Sequence, residues 1–182
     1  MSGQRVGGDA AGAVRLAGGV LGVIVDVLGH GEDTYALGVR LLEDACASGS
    51  TDVKGTLTAL HERHRGSRGA AVGVCFLDEA TGELRYAGVG NTVLRCFGET
   101  EMRLVSQAGV LGERMRTPAL QTIQLAGGDT ILMYSDGVSS HFHASDYPNL
   151  RTEAPEQVAE SVVRRFGKSH DDASCLVLRY TQ

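Results

Sequence analysis

Two strongly apolar runs in this chain end abruptly at an aspartate. The run "VIVD" stops at Asp26, and the run "ILMYSD" stops at Asp136. Short runs rich in Val, Ile and Leu predict buried strands. Asp9, in the glycine turn "GGDAAG", and the pair Asp171 and Asp172, before the last apolar run, also lie at predicted strand boundaries. Each aspartate alone fits ordinary turn chemistry, but strand ends at one sheet edge can bring distant residues to a common place.

The remaining pattern predicts an α+β domain. Apolar residues at helical spacing predict three helices, over residues 33–47, 53–64 and 156–166. Short runs rich in Val, Leu and aromatic residues predict strands over residues 20–27, 70–78, 83–90, 92–98, 101–107 and 174–180, with two more around the "GGD" turn in 120–137. Such strands form an antiparallel meander. We therefore expect sheets that pack together, with helices covering their outer faces.

Length and charge limit the classes of protein that this chain can be. Its 182 residues, 42% of them apolar, are enough for one domain with a substantial core. We expect a single domain over residues 1–182, with no separate regulatory domain. The net charge of -5, without a basic cluster, argues against a nucleic-acid surface. The sequence has no secretion signal and no apolar run that would span a membrane, so we predict a soluble, cytoplasmic protein.

Cysteine and histidine contribute little to the predicted chemistry. The four cysteines form no CxxC pair and no zinc-like spacing, so we predict reduced thiols that are mostly buried. His61 and His64, in "HERH", fall on neighbouring turns of a predicted helix with arginines nearby. We predict that both histidines lie on the surface.

The aspartates carry the chemistry. Four carboxylates that converge in a partly buried cleft repel one another unless cations neutralise them. Hard divalent ions with oxygen ligands suit such a group. Mg²⁺ or Mn²⁺ fits better than Zn²⁺, because neither Cys nor His is grouped with these aspartates.

The ordered motifs resemble the metal-dependent protein phosphatases of the 2C type, the PPM family, and within it the compact bacterial SpoIIE-like branch. The motifs are "GGDAAG", "VIVDVLGHG", "RGAAVGVCFLD", "GVGN", "YSDGV" and "HDDASCLVL", and together they extend over nearly the whole chain. The short length and the "AGVLGE" stretch are most similar to stand-alone feedback phosphatases of the stressosome. The resemblance implies an αββα sandwich of two antiparallel sheets flanked by helix layers, with two Mn²⁺ or Mg²⁺ ions at one end of the sheets.

The resemblance also implies a ligand set. Asp26 would bridge both ions and Asp9 would bind one of them, while Asp136 and Asp171 would bind the other. The backbone carbonyl of Val27 would be a further ligand, although the family usually has Gly directly after the bridging aspartate. Valine still offers a carbonyl, but its branched side chain restricts the backbone, so we expect one metal site to be altered in affinity.

Two functions remain open at this point. The first is a phosphoserine/phosphothreonine protein phosphatase in which a metal-activated water attacks phosphorus. His30 would then protonate the departing oxygen, although a solvated loop histidine is the simpler interpretation. The resemblance implies phosphorylated STAS-type stressosome or anti-sigma-antagonist proteins as substrates, with no nucleic acid and no membrane as partner. The second function is a catalytically weak docking module of the same fold that binds signalling scaffold proteins.

Overall fold

The computed structural model describes residues 7–169 and 171–181. Within these residues, nine strands lie at β1 Asp9–Leu16, β2 Gly19–Val27, β3 Ala70–Asp78, β4 Glu83–Val89, β5 Val93–Phe97, β6 Met102–Val105, β7 Gln121–Gln124, β8 Thr130–Tyr134 and β9 Cys175–Arg179. Three α-helices lie at α1 Glu32–Ala47, α2 Val53–Arg63 and α3 Pro155–Phe166, and a short 3₁₀ turn lies at Ala144–Asp146.

The strands form two antiparallel sheets. The first sheet has the order β1-β2-β3-β4-β7, and the second has the order β6-β5-β8-β9. Helices α1 and α2 pack on the first sheet, and α3 packs on the second. The predicted α+β class and αββα layering are therefore confirmed.

Three apolar layers hold the sandwich together, and strand β2 contributes to two of them. Leu21, Val23 and Val25 lie in the layer between the first sheet and helices α1 and α2. Ile24 lies in the layer between the two sheets. Because successive side chains of a strand point to opposite faces, Asp26 shares the face of Ile24 and is directed between the sheets.

Strand β1 was missed by the sequence pattern, which placed Asp9 in a turn. The strand pairs with β2 over its whole length, from Asp9 opposite Asp26 to Leu16 opposite Gly19. Its sequence "DAAGAVRL" is rich in Ala and Gly, which are depleted in strands. Pairing with β2 and packing of α1 against it, rather than local propensity, account for its extended conformation.

The prediction that His61 and His64 lie on the surface is wrong. They are only 7% and 8% exposed. A ring nitrogen of His61, Nδ1, accepts a hydrogen bond from the Gly112 N–H at 2.9 Å, and Nε2 of His64 lies 2.8 Å from a carboxylate oxygen of Asp44. Both histidines continue the buried stripe that begins at Val53, because positions 53, 57, 60, 61 and 64 share one face of a helix. The sequence analysis gave more weight to the neighbouring arginines than to this helical spacing and therefore predicted a surface position.

None of the helices in the described part of the chain has both the length and the apolar character needed to cross a lipid bilayer.

Candidate metal centre

The site is built on a pair of aspartates that face each other across two strands. Asp9 of β1 and Asp26 of β2 are direct partners in the antiparallel register. Directly opposite residues place their Cβ atoms about 4.5–5.5 Å apart and point to the same face of the sheet. For this pair, the shared face is the one between the two sheets, where Ile24 and Ala11 also lie. Strand β2 is buried but ends in a carboxylate because its last residues lie at the open end of the sandwich, here called the mouth.

The second sheet reaches the same place through Ser135, which follows β8. Its hydroxyl donates a hydrogen bond of 2.6 Å to Oδ2 of Asp9. The Ser174 N–H donates in turn to the Ser135 hydroxyl oxygen at 3.1 Å. Ser135 is fully buried, so this polar contact joins the two sheets at a fixed point. The next residue, Asp136, is exposed at the mouth.

Asp171 and Asp172 belong to a segment that packs against the segment carrying Asp136. A Cβ on Gly137 would stand 1.7 Å from the Asp172 carbonyl oxygen, so only glycine fits at that position. The Lys168 N–H donates to the Gly137 carbonyl oxygen at 2.7 Å and holds the segment before Asp171. The carboxylate of Asp172 lies over Gly7, where a Cβ would come within 2.4 Å of it. The sequence analysis predicted Asp171 as the metal ligand of this pair. In the structure, Asp172 also lies at this end of the sandwich.

The electrostatics show that these carboxylates act on one another. The pKa of Asp26 is raised from 3.8 to about 7, mainly by burial and also by the negative charges of Asp9, Asp136 and Asp171. Burial also raises the pKa of Asp9, and Asp172 adds to this effect, while hydrogen bonds from Ser135 and Ser174 oppose it. Carboxylates from four separate chain segments are therefore in electrostatic contact.

Asn91 is a site residue that sequence reasoning interpreted only as a turn residue. Its side-chain nitrogen lies 3.5 Å from Oδ2 of Asp26. The preceding Gly90 has a φ of 94° and comes so close to Ala71 that a Cβ would stand 2.4 Å from the Ala71 side chain. Ala71 is the partner of Asp26 in β3. The close approach of Gly90 to Ala71 thus positions the Asn91 amide beside the Asp26 carboxylate. The "GVGN" motif is the sequence signal from which this contact could have been predicted.

Val27 is a core residue as well as a candidate ligand. Its side chain is 2% exposed and belongs to the layer under α1. Its N–H donates to the Gly8 carbonyl oxygen at 3.3 Å, and no residue other than glycine in the described chain has a positive φ. A Cβ on Gly38 of α1 would stand 2.6 Å from the Gly8 carbonyl oxygen. Val27 therefore fills a tight junction between α1 and the first sheet, and its role as a carbonyl ligand stays a prediction.

His30 lies in the short loop between β2 and α1, directly after the candidate ligands, and is exposed. Gly29 and Gly31 on either side have φ values of 96° and 110°, a conformation that other residues rarely adopt. The Arg68 guanidinium covers this loop, because a Cβ on Gly29 would stand 2.9 Å from Nη1 of Arg68. The imidazole of this loop and the guanidinium that packs over it thus lie directly beyond the strand end that carries Asp26.

The cysteines give no alternative nucleophile. All four are free thiols. Burial raises the pKa of Cys75 and Cys175 to about 12, and burial together with Asp129 raises that of Cys96 to the same value. The pKa of Cys46 is raised by burial as well. The nucleophilic form of cysteine is the thiolate, and these groups remain protonated near neutral pH.

The donor set fits a hard divalent cation. Carboxylate oxygens and a backbone carbonyl are the ligands that Mg²⁺ and Mn²⁺ prefer, and no cysteine belongs to the group. Within residues 7–169 and 171–181, no three Asp, Glu, His or Cys side chains stand close enough together to form a ready-made metal site.

Comparison with known proteins identifies the family. Residues 17–181 match the family model described as Stage II sporulation protein E (SpoIIE), which is most of the chain. The chain belongs to the SpoIIE family. This family's domain is a PP2C-type phosphatase domain, and the predicted resemblance to the PPM phosphatases is confirmed.

Solved structures share the fold of this SpoIIE-family chain. One, from a study of the bacterial stressosome as a modular system adapted to control secondary messenger signalling, is 24% identical with a TM-score of 0.88, and the match covers 98% of this chain and 94% of that one. RsbX in complex with magnesium is 16% identical with a TM-score of 0.81, and the match covers 97% and 88%. The PP2C domain of SpoIIE from Bacillus subtilis, with a fragment of its regulatory domain, is 20% identical with a TM-score of 0.77, and the match covers 98% and 59%.

The raised pKa of Asp26 predicts how the stability of the metal-free protein depends on pH. The unfolded chain loses this proton near 3.8, and the folded protein loses it near 7. Between these values the folded state binds more protons, so the free energy of unfolding falls as pH rises through the window. In EDTA, we expect the Tm to fall by several degrees between about pH 4 and about pH 7, since ~1 kcal/mol corresponds to about 2–4 °C for a chain of this size.

The Asp26→Asn variant tests whether Asp26 causes this fall of Tm with rising pH. The Tm is measured by thermal unfolding in EDTA at several pH values. The substitution should remove much of the pH dependence, because the amide does not titrate. Glu99→Gln, at an exposed position in the turn between β5 and β6, serves as the control and should keep the parental dependence. An equal fall of Tm in Asp26→Asn and in the parent would contradict the account.

Proposed function

We propose that this protein is a phosphoserine/phosphothreonine protein phosphatase that uses two Mn²⁺ or Mg²⁺ ions. The observation that carries the proposal is the gathering of carboxylates from four chain segments at one mouth of a PP2C-type sandwich, where they raise the pKa of Asp26. A structural role alone does not favour such a group, because facing carboxylates destabilise a sheet.

In this proposal, Asp26 would contribute to holding both ions, Asp9 and the Val27 carbonyl would hold one of them, and Asp136 and Asp171 would hold the other. When bound, the two cations supply a water of lowered pKa and neutralise charge on the phosphoryl oxygens.

Ser135 and Asn91 act on the ligands rather than on the substrate. The Ser135 hydroxyl donates to Asp9 and orients that carboxylate. The Asn91 amide lies beside Asp26 and fixes one of its oxygens. Such partners of metal ligands set the direction and basicity of the ligands. The fully buried Ile24, on the same face as Asp26, excludes water from the floor of the site.

His30 is the proposed general acid. It lies in the exposed loop after Val27, where it is accessible to a substrate. Its role is to donate a proton to the serine or threonine oxygen that leaves phosphorus. Such a donor contributes most when the leaving group is a poor one, as an alkoxide is.

The substrates that we propose are phosphorylated STAS-type stressosome or anti-sigma-antagonist proteins, in the cytoplasm, acted on by a single domain over residues 1–182. The fold shared with RsbX and with a stressosome-related structure supports this class of partner. The other candidate is a catalytically weak docking module, and it is favoured by valine at position 27, where the family usually has glycine.

Substitution of the metal ligands tests the activity. Asp26→Asn and Asp136→Asn should each lower Mn²⁺-dependent hydrolysis of p-nitrophenyl phosphate by more than roughly 100-fold, beyond the effect expected for an outer partner of a ligand. Ser135→Ala removes such an outer partner and should cost about 10–100-fold. Excess EDTA should abolish the activity of the parent.

Asp78→Asn is the matched control for these substitutions. Asp78 also ends a strand of the first sheet, but it is paired with Gly19, at the opposite end of β2 from Asp26. The activity of the Asp78→Asn variant should remain close to that of the parent. Full activity of Asp26→Asn, or of the parent in EDTA, would show that the metal assignment is wrong, and inactivity of a folded parent with Mn²⁺ would favour the docking module.

His30→Gln separates the general acid from the metal ligands. Its kcat should fall by about 10²–10⁴-fold on a phosphoserine peptide, and much less on p-nitrophenyl phosphate, whose leaving group needs no proton. Steady-state kinetics on both substrates measures the difference. A similar loss on both substrates, or no loss on the peptide, would contradict this role.

A further inference from the structure

A pocket of about 200 Å³ opens beside Asp136, and most of its lining residues have no part in the proposed chemistry. Its walls include the side chains of Arg103, Tyr134, Ser139, His141 and Lys168. Apart from Asp136 itself, the polar groups on these walls are cations, hydroxyls, an imidazole and the Asn91 amide. The lining is therefore rich in hydrogen-bond donors.

Tyr134 is the feature that points to a ligand. It is the last residue of β8 and is 1% exposed. Among the residues that the structure describes, its hydroxyl has no acceptor for its proton, because the neighbouring Arg95 guanidinium can only donate. Buried hydroxyls are almost always paired, because an unpaired one loses its bond to water without replacement. A missing partner in the wall of a pocket indicates that an acceptor enters from outside.

The charge around Tyr134 specifies what kind of acceptor that is. Arg95 of β5 and Arg103 of β6 are direct partners in the antiparallel register, so two positive charges stand side by side. The Arg95 guanidinium donates to Glu101 and to the Phe142 carbonyl oxygen. Arg103 has no salt bridge to any residue within 7–169 and 171–181. A guanidinium offers only donors, so Arg103 cannot accept the Tyr134 hydroxyl proton, and the positive charge beside it favours a negatively charged acceptor.

Lys168 is held at this pocket by the backbone. Its N–H donates to the Gly137 carbonyl oxygen at 2.7 Å, and the preceding Gly167 forms an antiparallel bridge with Val138. The segment that carries Lys168 is thereby fixed to the segment that carries Asp136. The backbone thus places a further positively charged residue, besides Arg103, at the pocket and next to the proposed metal centre.

We infer that this pocket is a subsite for an acidic side chain of the phosphoprotein substrate, close in sequence to its phosphorylated residue. The Tyr134 hydroxyl donates to the carboxylate, and Arg103 and Lys168 supply the opposite charge. The inference rests on the proposed phosphatase function, because the pocket shares Asp136 with the proposed metal centre and so lies within reach of residues that flank the phosphate.

The test uses the full chain with Mn²⁺ and two sets of phosphoserine peptides. In one set a single Glu is moved through the positions on either side of the phosphoserine, and in the other set Gln replaces it. At one or more positions, the parent should prefer Glu by roughly tenfold in kcat/KM, which is the size expected for a charge-assisted hydrogen bond. The measured quantity is the ratio of kcat/KM for Glu to that for Gln.

Three variants test whether the pocket causes the Glu-to-Gln ratio of kcat/KM. Tyr134→Phe and Arg103→Gln should bring it close to one. Tyr134→Phe removes only an unpaired hydroxyl, so its Tm should equal or exceed that of the parent. Arg15→Gln is the control, since Arg15 is an exposed strand arginine that pairs with Glu79 at the far end of β1. Its ratio should equal that of the parent.

Each other result is decisive. Equal rates for Glu and Gln at every position in the parent would overturn the inference, and so would a Glu preference that survives both pocket variants. If neither the peptides nor p-nitrophenyl phosphate is hydrolysed, the proposed function fails. The subsite is then decided by the Kd values of fluorescently labelled Glu and Gln peptides, measured by anisotropy in the parent and the same variants. Equal Kd values in the parent would overturn it.

Discussion

The structure depends on a repulsive contact, the one between Asp9 and Asp26. Two carboxylates stand opposite each other on paired strands, an arrangement that is destabilising unless something neutralises it. In the metal-free protein, protons do so, because the pKa of Asp26 is raised to about 7. In the proposed phosphatase, divalent cations would do so. The same cations would give this acidic protein, of net charge -5, the positive field that a phosphate requires.

Neither sheet forms this site alone. The first sheet contributes Asp9 and Asp26, and the second contributes Ser135 and Asp136 through the end of β8. The buried Ser135 hydroxyl joins the two, so the packing of the sandwich fixes the distance between the proposed ligands. Residues that are conspicuous for packing, such as Val27 in the junction under α1, therefore also position the chemistry.

The fold was largely predictable from the sequence, because helices and buried strands have strong periodic patterns. Strand β1 was not, since its extended conformation comes from pairing with β2 and not from its Ala- and Gly-rich sequence. The aspartates could be singled out only as a set, because each one alone fits ordinary turn chemistry. Asn91 and Ser135 could not be assigned as their partners, because those contacts depend on how the sheets meet. The buried positions of His61 and His64 were hidden by neighbouring arginines.

Calorimetric titration of Mn²⁺ into the EDTA-treated and dialysed protein tests the central claim most directly. The account predicts two ions bound per chain, one more weakly than the other because valine follows the bridging aspartate, and loss of both sites in Asp26→Asn. Val27→Gly should strengthen the weaker site. It should also lower stability by more than the roughly 0.5–1 kcal/mol of added backbone freedom, because the valine side chain is buried. Absence of saturable Mn²⁺ binding to the folded parent, or the same binding to Asp26→Asn, would contradict the account.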